Sequence, residues 1–258
     1  MNASRDYTVL SVKKALGLLK IFNNQTPELT LSEISQLSGI GKSSALRFLH
    51  TLEGEGFVSY DETTHKYSLG IELYRLGQSK FHSMNVRRVA ARYLQALANQ
   101  TNLICYLGVR DSDLLAMVDQ FLPVSIPSWT QLMVTSGGTC ELYSTGIGRL
   151  FLAQESDEEV LAYLKRRLLT RFTDSTVVDP QQILMLVRKA RVLQYASNDG
   201  ENEPHVHSIC VPVFGIDGHM IAGISLTGLK EDVAREENLD RIRNVALTIS
   251  REMGYIGK

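Results

Sequence analysis

The sequence predicts an α+β protein of two domains, a helical N-terminal domain with one β-hairpin and a C-terminal domain with an antiparallel sheet and flanking helices. Three observations support this fold class. At 258 residues, the chain is longer than one typical domain. Helical periodicity dominates residues 1–101, apart from one short hairpin. From Asn102 onward, paired apolar strands alternate with amphipathic helices.

The first helix is predicted over Val9–Phe22, with Val12, Leu16 and Leu19, and also Ile21 and Phe22, at helical spacing. A loop is predicted over Asn23–Leu29, where Pro27 disfavours a continuing helix.

A second helix starts with a capping box. Thr30 can cap the helix while Glu33, three residues later, reaches back to the free amide at its start. Gly39 can adopt the left-handed conformation that ends the helix, and a third helix begins near Gly41. Two helices joined by a short turn are typical of a helix-turn-helix.

The third helix has one apolar side and one polar side. Ala45, Phe48, Leu49 and Leu52 share the first, whereas Ser43, Arg47 and His50 share the second. Short strands are predicted at Phe57–Tyr60 and Lys66–Leu69. A hairpin directly after such a helix predicts a winged helix-turn-helix, in which the polar side of the third helix meets DNA.

The distribution of charge agrees with this interpretation. The net charge of the whole chain is −1, but residues 1–100 carry an excess of four positive charges and the remainder an excess of five negative ones. The basic excess therefore accompanies the helix-turn-helix and favours contact with phosphate. An excess of four is modest, so that two copies on two half-sites are expected.

These patterns divide the chain into three segments. Residues 1–82 are predicted to form the winged helix-turn-helix domain, residues 83–101 a linker helix and residues 102–258 the second domain. The second domain begins with strands at Leu103–Val109 and Leu114–Val118, and a third strand is predicted at Trp129–Val134.

Local signals mark the later elements of the second domain. Ser136–Thr139 is predicted as a loop, and a capping box at Ser156 and Glu159 opens one helix. Asp179-Pro180 opens another. The pair Asp217-Gly218 predicts a hairpin between two strands, and Glu231–Met253 is predicted as one closing helix.

Several blocks of the sequence resemble the IclR family of bacterial transcriptional regulators. The matching stretches are Gly41–Leu49, Leu52–Val58, Leu142–Ala153, Glu201–Val213 and Ile221–Gly228. The resemblance implies a winged helix that binds a double-stranded DNA operator, a linker helix and a GAF-like domain that binds a small-molecule effector. It also implies homodimers or homotetramers, with repression as the more common response.

The DNA-binding residues that we predict lie on the third helix: Lys42, Ser43, Ser44, Arg47 and His50. Arg47 can pair bidentately with guanine, and Lys42 with the free amides of the helix start suits phosphate. His50 lies further along and can instead only fill space, and Arg47 can instead pair with Glu33.

By resemblance, the effector site lies between the sheet and the segment from Thr145 to Arg149. The start of a helix at Gly146 offers amides to a carboxylate, and three hydroxyl-bearing residues alternate with apolar ones in strands. The predicted site residues are Thr145, Gly146, Ile147, Asn198, Ser208, Ser225 and Thr227, and the expected ligand is a small organic or sugar acid. The chain departs from the family at Pro204-His205, where a glycine is usual, and at Arg149, where a lysine is usual.

Other functions have weaker support. His205, His207 and Cys210 could hold a metal ion with Cys140, but their spacing matches no standard zinc pattern. Neither a nucleophile elbow nor a nucleotide-binding loop is present, so we expect neither an enzyme nor a cofactor. A winged helix that binds protein partners instead of DNA is the remaining alternative. The sequence has neither a signal peptide nor a transmembrane run, which predicts a cytoplasmic protein.

Overall fold

A computed structural model describes residues 8–23, 25–83, 85–125 and 138–257. The chain divides into two compact units, Met1–Ser83 and Met84–Lys258. In the described part of the chain, no helix is both long and apolar enough to cross a membrane. The predicted strand at Trp129–Val134 lies outside the described residues.

The first unit is a winged helix-turn-helix, as predicted. Its helices and strands, in chain order, are α1 (Leu10–Leu19), β1 (Glu28–Thr30), α2 (Leu31–Ser38), α3 (Lys42–Gly54), β2 (Val58–Asp61), β3 (Lys66–Leu69) and α4 (Ile71–Ser83). The strands form an antiparallel sheet in the order β1-β3-β2. The short strand β1 corrects the prediction of a loop up to Leu29, because Leu29 pairs with Tyr67 of β3.

Local capping fixes the helix-turn-helix. The Thr30 hydroxyl accepts a hydrogen bond from the Glu33 amide, and the Glu33 carboxylate accepts one from the Thr30 amide at 2.8 Å. Gly39 ends α2 with a φ of 68°, which favours glycine. The predicted capping box and turn are therefore confirmed.

Helix α1 turns a different face inward from the one predicted. Leu18, which was not predicted, is fully buried, whereas Val12 and Leu16 are 54% and 51% exposed. Phe22, which was predicted, is buried after the end of the helix. Leu19 is half-buried. Apolar residues occupy two faces of α1, and periodicity alone does not indicate which one contacts the core.

The second unit is an antiparallel six-stranded sheet with helices on both faces. Its helices and strands are α5 (Asn85–Thr101), β4 (Ile104–Asp111), β5 (Leu114–Phe121), β6 (Thr139–Glu141), α6 (Gly146–Leu152), α7 (Asp157–Arg166), α8 (Pro180–Leu193), β7 (Ala196–Asp199), β8 (His207–Phe214), β9 (Met220–Gly228), α9 (Lys230–Val233) and α10 (Glu236–Glu252). The strand order is β6-β5-β4-β9-β8-β7.

The two faces of this sheet bury separate cores. Alternate residues such as Tyr106 and Cys210 pack with α6, α7 and α8. Their neighbours Cys105 and Val211 pack on the opposite face with α5 and α10. Helix α5, predicted as a linker, thus contributes buried residues such as Leu94 to the second unit.

Two predictions in the second unit are wrong in detail. Thr139 belongs to strand β6, not to a loop, because it pairs with Ala116 of β5. The predicted helix Glu231–Met253 is divided into α9 and α10. The buried Asn238 side chain donates to the Asp232 carbonyl oxygen at 2.8 Å, which satisfies the end of α9 without a glycine or proline.

Two glycines allow α6 to pack closely on the sheet. Gly108 of β4 and Gly223 of β9 are register partners. A Cβ atom on Gly223 would lie 2.4 Å from Cγ2 of Ile147, and one on Gly108 would lie 3.4 Å from Cδ1 of the same side chain. The gap left by the two glycines therefore admits Ile147 and brings the start of α6 close to the strands.

Candidate functional site

Helix α3 presents all five predicted DNA-binding residues to solvent. Lys42, Ser43, Ser44, Arg47 and His50 are exposed. Ala45 and Leu49, on the opposite side of the helix, are fully buried in the core of the first unit. Because the apolar side of α3 packs into the core, its polar side faces solvent.

Electrostatics favour an anion at the start of this helix. Gly41 precedes α3 and contributes no side chain to cap it. The amides and the positive end of the helix dipole suit phosphate, and Lys42 stands beside them. Among the described residues, no carboxylate forms an ion pair with Arg47. Glu33, the alternative partner of Arg47, binds both the amide and the hydroxyl of Thr30.

The hairpin tip beside α3 is held by a turn. The Asp61 carboxylate accepts hydrogen bonds from the amides of Thr63 and Thr64 at 2.7 and 3.1 Å. These bonds, the one from Thr64 foremost, lower the pKa of Asp61. Tyr60 contacts Nδ1 of His65 at 2.9 Å. The hairpin is therefore an ordered wing.

In the second unit, cross-strand pairing builds one polar floor. Tyr106 of β4 is opposite Ser225 of β9, which is opposite Cys210 of β8. In the adjacent row, Thr227 of β9 is opposite Ser208 of β8. Directly opposed residues in antiparallel strands share a face, so these side chains converge beneath α6.

This floor belongs to a cavity of about 100 Å³. All seven predicted effector residues line it: Thr145, Gly146, Ile147, Asn198, Ser208, Ser225 and Thr227. Among the residues that the structure describes, eight further ones line it and were not predicted: Tyr106, Leu115, Met117, Cys140, Asn202, Glu203, Val206 and Cys210. The structure thus brings the predicted residues together, and their binding of a ligand stays a prediction.

Two of the seven predicted residues are already occupied by structural hydrogen bonds. Asn198 donates to the Ser144 carbonyl oxygen at 2.6 Å and accepts from the Glu201 amide at 3.1 Å. The Thr145 hydroxyl accepts from the Gly148 amide and donates to the Glu141 carbonyl oxygen, both at 3.1 Å. They therefore shape the wall of the cavity.

Gly146 allows the close contact between α6 and β8. A Cβ atom on Gly146 would lie 2.5 Å from Sγ of Cys210. Any larger residue would push α6 away from the floor, so glycine is required here for packing as well as for access to the cavity.

The floor hydroxyls bond mainly with one another. Ser225 Oγ and Thr227 Oγ1 are 3.2 Å apart, and Ser208 Oγ is 3.6 Å from Sγ of Cys210. Tyr106 Oη differs. Tyr106 Oη is buried and, among the described residues, has no hydrogen-bond partner. Burial raises the pKa of Tyr106, so the phenol keeps its proton and can donate.

Neutral side chains dominate the cavity. Among the described residues that line it, Glu203 is charged and none is a lysine or an arginine. The nearby Arg149 is buried and forms a bidentate ion pair with Glu201. Arg149 also donates through Nε to the Tyr143 carbonyl oxygen at 2.9 Å. The charge of Arg149 is therefore neutralised by Glu201, and the pair holds α6 against the loop after β7.

The alternative metal site gains no support from the geometry. In the ranges that the structure describes, no group of three or more His, Cys, Asp and Glu side chains could hold a metal ion. His207 pairs through Nδ1 with Asp199, although burial lowers the pKa of His207. His205 lies in a turn with a φ of 66°.

The cysteines do not have the environment of a nucleophile. Burial raises the pKa of Cys210 to about 12, and it also raises the pKa of Cys140 and that of Cys105. All three therefore remain thiols at neutral pH, and the thiolate is the reactive form.

Comparison with known proteins agrees with both units. Residues 11–62 match the IclR helix-turn-helix domain, and residues 78–253 match the bacterial transcriptional regulator IclR C-terminal domain. The chain is 28% identical to the HTH-type transcriptional regulator XynR of Escherichia coli, over 96% of this chain and 98% of that protein. It is 30% identical to the regulator KdgR of the same organism, over 96% and 94%.

Solved structures show the same fold. An IclR transcriptional regulator from Alicyclobacillus acidocaldarius superposes with a TM-score of 0.83 at 27% identity, covering 96% of this chain and 98% of that chain. An IclR homolog from Microbacterium hydrocarbonoxydans, solved in complex with 4-hydroxybenzoate, has a TM-score of 0.82 at 20% identity, covering 94% and 98%.

The unpaired hydroxyl of Tyr106 gives the first testable prediction. We expect Tyr106→Phe to leave the free energy of unfolding of the ligand-free protein unchanged or to raise it by up to about 1–3 kcal/mol, because it removes no protein hydrogen bond and eliminates a buried hydroxyl without a partner. Tyr143→Phe is the matched control, since Tyr143 Oη donates to the Thr170 carbonyl oxygen at 3.0 Å and accepts from its amide at 2.7 Å. The control should cost about 1–3 kcal/mol in urea titrations. Equal losses in the two variants would contradict the assignment.

The buried ion pair gives the second prediction. We expect Arg149→Met to lower the free energy of unfolding by about 3–5 kcal/mol, because Glu201 is left charged and buried. Adding Glu201→Met should recover part of the loss. The pair of Arg166 and Asp113, which is far more accessible to solvent, serves as control, and Arg166→Met should cost less than about 1 kcal/mol. If the double variant is less stable than Arg149→Met, the explanation is wrong.

Proposed function

The chain belongs to the IclR family of bacterial transcriptional regulators, and from this premise we propose that it represses transcription from an operator under the control of a small organic or sugar acid. The family assignment makes the protein a DNA-binding regulator with an effector-binding C-terminal domain, and not an enzyme. The observation that carries the proposal is that one chain contains both an exposed recognition helix and a cavity lined by hydroxyl groups. We place the protein in the cytoplasm, where its operator would be.

In this proposal, α3 lies in the major groove and its polar side reads the operator. Arg47 reads a guanine, because its side chain is exposed near the N-terminal end of α3, where helix-turn-helix proteins contact base edges. Lys42, Ser43 and Ser44 contact phosphate around the helix start, and His50 lies at the edge of the contact.

The effector occupies the cavity of the second unit. Its oxygen atoms meet the hydroxyls of Ser208, Ser225 and Thr227, while Gly146 and Ile147 provide the wall formed by α6. Thr145 and Asn198 hold this wall in place through their backbone contacts. Occupancy changes operator affinity because the ligand has a higher affinity for one arrangement of the oligomer than for another.

The proposed assembly is a homodimer or homotetramer, and an exposed apolar face among the described residues supports it. Val9, Leu10, Val12 and Leu16 of the α1 region are each more than half exposed. Such a cluster on one short helix is typical of a surface that another protein covers. A second copy of the same face would bury it and would place two recognition helices on two half-sites.

DNA recognition can be tested on fragments selected from a random library. We expect Arg47→Ala to weaken binding to the selected sequence by about 1–3 kcal/mol and to relax the base preference at one position. Lys42→Ala should weaken binding to all sequences alike and should reduce the slope of log affinity against log salt by about one, because one phosphate is no longer neutralised. Lys189→Ala, an exposed lysine of α8, is the control. Salt-independent binding would contradict the proposal.

The proposed dimer can be tested by sedimentation equilibrium. We expect Leu16→Lys to shift the protein toward the monomer, because a charge would have to be buried in the interface. Leu37→Lys on α2 is the matched control, since Leu37 is similarly exposed at 58%. If the two variants sediment identically, the α1 face is not the interface.

A further inference from the structure

We propose that the effector is a hydroxylated compound recognised through its oxygen atoms by uncharged side chains, and that Tyr106 is the residue that determines this specificity. The inference rests on the proposed function, because it names the chemical class of ligand for the same cavity. It adds Tyr106, which the sequence did not indicate. It also attributes recognition to the hydroxyl groups of the ligand more than to its net charge.

The unpartnered atom is Tyr106 Oη. The side chain is 4% exposed and lines the cavity, yet its hydroxyl has no partner among the described residues. An unmade hydrogen bond at a buried hydroxyl has a free-energy cost, which a ligand oxygen placed against it would remove. The raised pKa of Tyr106 keeps the proton on the phenol, so the group can donate to an acceptor.

Further hydroxyls lie beside Tyr106 on the same floor. Ser225 is its register partner on β9, and Ser225 Oγ is 3.2 Å from Thr227 Oγ1. Each of these hydroxyls can donate one hydrogen bond and accept two. A ligand hydroxyl both donates and accepts, so it matches such a row better than a group that can only accept.

Charge does not supply the affinity. In the described part of the cavity lining, there is no cationic side chain, and Glu203 contributes a carboxylate. Arg149, a cation close to the start of α6, is already paired with Glu201. A carboxylate without hydroxyl groups would therefore lose its hydration without a countercharge, which is unfavourable.

Part of the cavity lining is apolar and limits what else can bind. Leu115 and Met117 of β5 extend the floor with apolar side chains, and Ile147 of α6 packs above them. A ligand with a short carbon skeleton and oxygen atoms on one side fits both surfaces. Such a ligand belongs to the hydroxy acids, the sugar acids or the polyols.

The test uses three probes with the same carbon chain length: D-gluconate, D-glucitol and hexanoate. Thermal unfolding of the full-length protein is followed as each probe is titrated. We expect D-gluconate and D-glucitol to give saturable increases in Tm, and hexanoate to give none. Because concentrated polyols stabilise folded proteins in general, only the saturable part of the increase is taken as binding.

Substitution then tests Tyr106 itself. Tyr106→Phe should raise the Kd for the hydroxylated probes about tenfold, which corresponds to the loss of one hydrogen bond. Tyr74→Phe, on an exposed tyrosine of the first unit, should leave the Kd unchanged. The circular dichroism spectrum of the ligand-free Tyr106→Phe variant should match that of the unchanged protein, which shows that the variant is folded.

Each result decides between the inference and the proposed function. If hexanoate stabilises and D-glucitol does not, charge governs recognition, so the inference fails while an acid effector stands. If D-glucitol alone stabilises, the inference stands and the acid class fails. If no hydroxylated probe stabilises, or if Tyr106→Phe binds them as well as the unchanged protein, the inference is overturned. Operator binding, measured separately, decides the regulatory role.

Discussion

The second unit depends on the buried ion pair between Arg149 and Glu201. Arg149 belongs to α6, whereas Glu201 belongs to the loop after β7 and also accepts a hydrogen bond from the Val177 amide at 3.3 Å. The pair thus joins three chain segments at the side of the cavity. Since the desolvation of two charges offsets much of their attraction, its main effect is geometric. The wall from Thr145 to Ile147 and the wall from Asn198 to Glu203 keep their separation because of it.

Much of the fold could be predicted because its signals are local. The capping boxes at Thr30 and Ser156, the Asp179-Pro180 start and the Asp217-Gly218 hairpin each depend on neighbouring residues, and all are present. The errors arose where a partner distant in sequence decides the outcome. Strands β1 and β6 are three residues long and exist through their pairing with β3 and β5. The inward face of α1 depends likewise on packing.

The residues of the candidate site were likewise predicted where the signal is local and missed where it depends on a distant partner. Ser208, Ser225 and Thr227 were identified from strand alternation, and the structure places them on one floor. Tyr106 was missed because its position beside Ser225 depends on the register between β4 and β9, which no local pattern reveals. Asn198 was identified by resemblance, but its amide is bonded to backbone atoms at both ends. The role of a polar residue at a cavity therefore requires its hydrogen-bond partners to be known.

The alternation of residues along the central strands separates two kinds of constraint. Tyr106 and Ser225 face the cavity, whereas Leu107 and Leu226 beside them belong to the core under α5 and α10. Substitutions at every second position can thus alter the chemistry of the cavity while the opposite core keeps its packing. A lineage of such proteins could acquire new ligands by point mutation without rebuilding its scaffold, and an engineer could redesign the sensor by the same route.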